Sequence, residues 1–127
     1  MPGVNPRDTA RLLAIGRLVL GLGLIVRPPL VTSMWLGRRA SEPIGIVLGR
    51  ALGIRDVAIA TGLLAALGGR GSPRPWLVAG AVSDAVDLTA TVLQRDSLPG
   101  TALPVILPTA GSGAALGAYA AAGLEDS

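Results

Sequence analysis

The chain contains no cysteine, no histidine, no lysine and no phenylalanine. Without cysteine there are no disulfides, no thiolate nucleophile and no cysteine-held metal. Without histidine there is no histidine general base, no haem ligation by histidine and little chance of a zinc site. The sequence also carries no phosphate loop, nucleophile elbow or dinucleotide fingerprint. We therefore predict no metal and no cofactor.

Large side chains and charges are also scarce. Aromatic residues make up 2% and charged residues 15% of the 127 residues, whereas 50% are hydrophobic. Alanine, glycine, leucine and valine dominate, which favours membrane helices that approach closely through small residues. The net charge is +3, but no basic run with interleaved aromatics exists, so we exclude nucleic-acid binding.

Four apolar segments stand between short breaks rich in proline, glycine and arginine. A bilayer crossing needs roughly 20 mostly apolar residues. We predict an all-α fold: one integral membrane domain over residues 1–127, a four-helix transmembrane bundle. The predicted spans cover residues 10–26, 44–67, 76–93 and 101–124.

Several signals mark the ends of these spans. Asn5 or Asp8 suits the first helix cap, and Pro28-Pro29 ends that helix. Ser41 before Glu42-Pro43 suits the cap of the second span. Leu30–Gly37 is too short to cross a bilayer, and an interfacial segment and a plain loop remain equal alternatives for it.

Charged residues inside these spans are the most informative feature of the sequence. Such residues are costly in hydrocarbon, so they usually face other helices or water and often mark functional sites. The three positive and three negative formal charges cancel, and all lie near the middle of their spans. We predict one buried ionic cluster, in which each arginine binds a carboxylate through parallel hydrogen bonds. Its members are Arg17, Arg50, Arg55, Asp56, Asp84 and Asp87.

Helical spacing indicates which faces meet. Small residues that permit close packing recur on one face of the second span. Another lies on the third span, on the face that carries Asp84 and Asp87. These helix-packing positions are Gly45, Gly49, Gly53 and Gly80. Arg55 points nearly opposite to Arg50, so either the second span is unusually enclosed or Arg55 meets a second subunit. We favour the homodimer as a hypothesis.

Three functions remain open for the cluster, and the sequence does not decide whether the chain is an enzyme. The leading interpretation is an interaction or accessory component whose ion pairs fix helix register. The second is a proton-linked carrier of a small or lipophilic molecule, and the third is a membrane-embedded cyclase or isomerase. Asp56, Asp84 and Asp87 are the candidate acid/base residues. A dry, fully paired cluster without a cavity favours the first function, and a water-filled path that reaches both surfaces favours the second. A pocket between spans, lined by these aspartates and open to lipid, favours the third.

The patterns Gly49-Arg50-Ala-Leu-Gly53-Ile-Arg55-Asp56 and Ala79-Gly80-Ala-Val-Ser-Asp84-Ala-Val-Asp87 carry a resemblance. The chain resembles uncharacterised four-span membrane proteins of GC-rich bacteria, grouped as a domain of unknown function. Its layout is also distantly similar to that of DoxX-type proteins. The resemblance implies an all-helical bundle and no activity.

The predicted location is the inner (plasma) membrane of a bacterium, crossed several times. The predicted partners are the lipid bilayer and, as open alternatives, a second copy and a lipophilic small molecule. Arginines are balanced between the two predicted sides, so the positive-inside rule gives no orientation.

Overall fold

The computed structural model describes residues 5–124, and this part of the chain is mainly helical, without a strand. The all-α prediction is confirmed. Residues 1–4 and 125–127 lie outside the described residues. The five α-helices are α1 (Pro6–Val26), α2 (Pro28–Leu36), α3 (Pro43–Leu67), α4 (Arg74–Leu93) and α5 (Ala102–Gly123).

The helix boundaries follow local chemistry. Asn5 caps α1, since its side-chain oxygen accepts a hydrogen bond from the Asp8 N–H at 2.8 Å. The prediction that Ser41 caps α3 is wrong: Glu42 holds the capping position without a side-chain bond, because Pro43 begins the helix and needs no N–H partner. The segment predicted as interfacial or as a loop forms the nine-residue helix α2.

The long helices pack as two close pairs, α1 with α3 and α4 with α5. Contacts of α1 with α5 and of α3 with α4 join the two pairs. The backbones of α1 and α3 nearly touch. A Cβ atom added to Gly53 would lie only 2.7 Å from the carbonyl oxygen of Gly21. Glycine at both positions brings the central side chains of the two helices together.

Helix α2 lies across α1, α3 and α5. Its first residue, Pro28, packs against Gly49, where a Cβ would come within 2.7 Å of the proline ring. At its other end, Trp35 Nε1 donates a hydrogen bond to Thr91 Oγ1 at 2.9 Å. The Thr101 hydroxyl donates to the carbonyl of Met34. These contacts hold α2 firmly against the bundle.

The outer surface of the bundle is apolar. Leu12, Val26 and Leu93 are 66%, 70% and 73% exposed, and large aliphatic side chains extend outward from all the long helices. Helices α1, α4 and α5 are each long and apolar enough to cross a membrane, yet only 22–28% of the residues in their apolar stretches are buried. A chain that is polar inside and apolar outside is compatible with a lipid environment.

Candidate functional site

Arg17, near the middle of α1, lies at the centre of a buried ionic network. Its Nη2 donates to Asp84 Oδ2 at 2.6 Å, and its Nη1 donates to Asp84 Oδ1 at 3.3 Å. The same Nη1 also reaches Asp56 Oδ1 at 3.2 Å. The Arg17 side chain is 13% exposed, so one guanidinium joins α1, α3 and α4 inside the bundle. The predicted burial of Arg17 with aspartates is confirmed.

Arg55 continues the network toward the end of the bundle where α2 lies. Its Nη2 and Nη1 donate to the two carboxylate oxygens of Asp87 at 2.8 and 3.1 Å. Its Nη2 and Nε also approach Asp56 Oδ1 at 3.3 and 3.4 Å. Asp56 therefore bridges both arginines, and Arg55 finds its carboxylates within its own chain. Nothing in the position of Arg55 calls for a second subunit.

Arg50 lies outside this network. It is exposed, and its Nε donates to the carbonyl oxygen of Ile25 at 3.1 Å. The sequence grouped Arg50 with the buried charges, and the structure separates it from them. The network thus contains Arg17 and Arg55 against Asp56, Asp84 and Asp87. With every group ionised it carries one net negative charge instead of the expected balance.

Glycines make room for these side chains. A Cβ on Gly80 would lie 3.0 Å from Arg17 Nη2, and a Cβ on Gly113 would collide with the Asp84 carboxylate. Gly80 was predicted as a helix-packing position, and it faces the arginine side chain. Gly113 was missed, because α5 is so rich in glycine and alanine that no single position stands out. The remaining predicted position, Gly45, packs against the backbone of Arg39.

A cavity of about 170 Å³ lies next to the network. Its walls are mainly apolar, and at one place they include the network carboxylates. The lining residues of α1, α3 and α5 include Leu20, Leu24, Leu52, Val105, Ile106 and Ala110, while α2 contributes Val31, Thr32 and Trp35. Asp56, Asp84, Asp87 and Arg55 supply the charged part of the wall.

One carboxylate oxygen of Asp56, which lines this cavity, accepts no hydrogen bond from the described residues. Within residues 5–124, every hydrogen bond to the Asp56 side chain ends on Oδ1, and none reaches Oδ2. In the same part of the chain, no fully enclosed side-chain nitrogen or oxygen lacks a partner. Oδ2 must therefore touch open space, although the Asp56 side chain is only 4% exposed. The cavity that Asp56 lines supplies this space.

Toward the other end of the bundle the helices pack closely, although an open groove of about 200 Å³ between α1 and α5 also reaches Arg17 and Asp84. Ala10, Ala14, Leu63, Leu77 and Ala120 belong to a dense core between the ends of α1, α3, α4 and α5. Small residues let the helices meet there, whereas α2 inserts at the other end and leaves the cavity. Across residues 5–124, no group of three or more potential ligand side chains is arranged to hold a metal ion.

No protein-family model, no curated protein and no solved structure matches the chain. The resemblance to the four-span family therefore stays a prediction. Any functional conclusion has to be drawn from the geometry of the network and the cavity.

Proposed function

We propose that the chain is a multi-pass membrane protein that binds a small lipophilic molecule in the cavity beside Asp56. The observation that supports this proposal is a mainly apolar cavity of about 170 Å³ whose wall includes three carboxylates. A dry apolar cavity of about 150 Å³ accommodates a molecule the size of benzene. Ligand sites in proteins have this character: mostly apolar walls with a few convergent polar groups that fix orientation.

The membrane part of the proposal is a four-helix crossing by α1, α3, α4 and α5. Three of these helices are apolar enough by composition alone, and α3 is the exception because Arg50, Arg55 and Asp56 interrupt its 25 residues. Arg55 and Asp56 are paired within the bundle, which removes most of the penalty of placing them in lipid. Arg50 can extend its long side chain toward the headgroups.

Sidedness labelling tests the four crossings, since the chain has no cysteine of its own. Single cysteines replace the exposed serines Ser41, Ser72 and Ser97, which lie in the connections before α3, before α4 and before α5. Four crossings place Ser41 and Ser97 on one side of the membrane and Ser72 on the other. If α3 did not cross, Ser41 and Ser72 would be labelled from the same side.

Fluorescence of Trp35 tests the binding part. The chain has two tryptophans, so Trp76→Phe leaves Trp35 in the cavity wall as the only reporter. We expect saturable changes in emission with at least one of toluene, benzyl alcohol and benzylamine, in detergent micelles. Ala110→Phe fills the cavity and should abolish them. Changes that do not saturate, or that survive Ala110→Phe, would show only partitioning into the micelle and would contradict the proposal.

The cavity helps to rank the three functions that the sequence left open, which are an accessory component, a carrier and an enzyme. A fully paired cluster without a cavity was the condition for a purely structural role, and a pocket lined by the aspartates was the condition for an enzyme. The enzyme, an acid/base catalyst acting through Asp56, is thus the second candidate function. The carrier also needs a bound ligand, and an accessory role is compatible with ligand binding. A homodimer and a bacterial inner-membrane location remain proposals without a specific observation in their favour.

A further inference from the structure

The charge of the network and the open oxygen of Asp56 together indicate what kind of molecule fits the cavity. Two guanidinium groups face three carboxylates, so the fully ionised network lacks one positive charge. An uncompensated charge is costly where contact with water is limited. A proton or a cationic ligand would supply the missing charge.

We propose that the cavity binds a small lipophilic amine in its protonated form, with the ammonium group donating a hydrogen bond to Asp56 Oδ2. The inference rests on the proposed ligand-binding function and specifies its substrate class. Asp56 Oδ2 is the one oxygen of its carboxylate that receives no hydrogen bond from the described residues, although its side chain is deeply buried. An ammonium group there neutralises the network and supplies the absent donor.

The rest of the wall favours an organic cation over an inorganic one. Inorganic cations such as Ca²⁺ require six or more oxygen ligands. The cavity offers mainly aliphatic side chains, which suit the apolar body of an amine, and Trp35, whose ring face attracts cations. Its volume of about 170 Å³ fits a ligand of one small ring.

A proton competes with the amine to neutralise the network. The groups that surround Asp56 are Arg17 on α1, Arg55 on α3, and Asp84 and Asp87 on α4. Helices α2 and α5 contribute no charged residue to the cavity lining. As the pH falls, a proton taken up by the ligand-free network restores neutrality, and amine binding displaces it. Exchange of one cation for one proton is the property that a proton-linked carrier requires.

The test compares three ligands with the same ring. In the Trp76→Phe background, benzylamine should bind at least about tenfold more tightly than benzyl alcohol, the difference expected for a hydrogen bond between charged partners. Benzoate should not bind measurably. Asp56→Asn should reduce the preference for benzylamine to less than about twofold while benzyl alcohol still binds, and the exposed Asp8→Asn should leave it unchanged.

The pH dependence gives a second readout that does not need the variant to fold. Benzylamine stays protonated from pH 5 to pH 8, so weaker binding at lower pH reports proton uptake by the protein. We expect benzylamine binding to weaken as the pH falls and benzyl alcohol binding to stay constant.

The outcomes separate the two proposals. If none of the ring compounds binds saturably, the proposed ligand-binding function fails. If benzyl alcohol or toluene binds as tightly as benzylamine, or benzylamine binding does not change with pH, ligand binding stands and the amine inference is overturned.

Discussion

Replacing Arg17 by glutamine is the most informative single change, because Arg17 joins three helices. Glutamine keeps hydrogen-bonding capacity and removes the charge. The substitution removes both hydrogen bonds between Arg17 and Asp84. It also removes the hydrogen bond from Arg17 to Asp56, which then keeps only Arg55 as a partner within residues 5–124. With every group ionised, the net charge of the network changes from −1 to −2. Removing one partner of a buried ion pair costs about 3–5 kcal/mol, and we expect a loss of unfolding free energy in that range.

Replacing a carboxylate of the network should destabilise the protein less than replacing an arginine, because the ionised network carries one excess negative charge. Asp84→Asn leaves Arg17 paired with Asp56 and brings the network to neutrality. The loss should then be near that of one hydrogen bond to a charged group, about 1.5–3 kcal/mol. In the double variant Arg17→Gln with Asp84→Asn, we expect at least about 1 kcal/mol to be recovered relative to the sum of the single changes.

Equilibrium unfolding of the purified protein in detergent micelles measures these free energies. The control is Arg50→Gln, which removes an exposed arginine whose one side-chain hydrogen bond within residues 5–124 goes to the carbonyl of Ile25. This variant should stay within about 0.5 kcal/mol of the parent. The reasoning is refuted if Arg17→Gln and Arg50→Gln are equally stable. It is also refuted if Asp84→Asn is as destabilising as Arg17→Gln, because the charge excess would then have no effect.

The remaining predictions concern packing and the attachment of α2, and equilibrium unfolding measures each of them. Gly53→Ala should cost about 1–3 kcal/mol, since its Cβ would press on the backbone of α1. Gly16→Ala, on α1 of the same helix pair, should be neutral or stabilising by up to about 1 kcal/mol, because its Cβ would meet no atom within 4 Å. Equal losses of stability for Gly53→Ala and Gly16→Ala would contradict the close approach of α1 and α3. Trp35→Phe should cost about 0.5–1.5 kcal/mol by removing the bond to Thr91, and an unchanged stability would show that this bond does not hold α2.

The sequence predicted the long helices well because their boundaries depend on local chemistry. Pro28 fixes where α1 ends and Pro43 fixes where α3 begins, whichever tertiary structure forms. The burial of Arg17 was also predictable, since a charge in the middle of an apolar helix has few stable environments.

The membership of the network was less predictable, because it depends on how the helices pack. Periodicity placed Arg50 and Arg55 on different flanks of α3 but could not show which flank faces α4. The contact between Gly21 and Gly53 sets this rotation: Arg55 then reaches Asp87, and Arg50 faces outward. The charge excess follows from that packing.

The cavity was not predictable from the sequence at all. It depends on α2, a segment whose nine residues carry too short a pattern to distinguish a helix from a loop. Its contacts with α3 and α4 are formed by Pro28 and Trp35, far apart in sequence from Gly49 and Thr91. Such tertiary contacts leave no local signal.

Solid-state NMR of the protein in lipid bilayers tests most directly whether the ionic network exists inside the bundle. With ¹⁵N-labelled arginine and ¹³C-labelled aspartate, we expect through-space correlations from the guanidinium nitrogens of Arg17 and Arg55 to carboxyl carbons. Arg17→Gln should delete one set, and Arg50→Gln should delete none. If neither Arg17→Gln nor Arg55→Gln removes a correlation, the arginines do not contact these carboxylates, and both the network and the cavity built on it would be wrong.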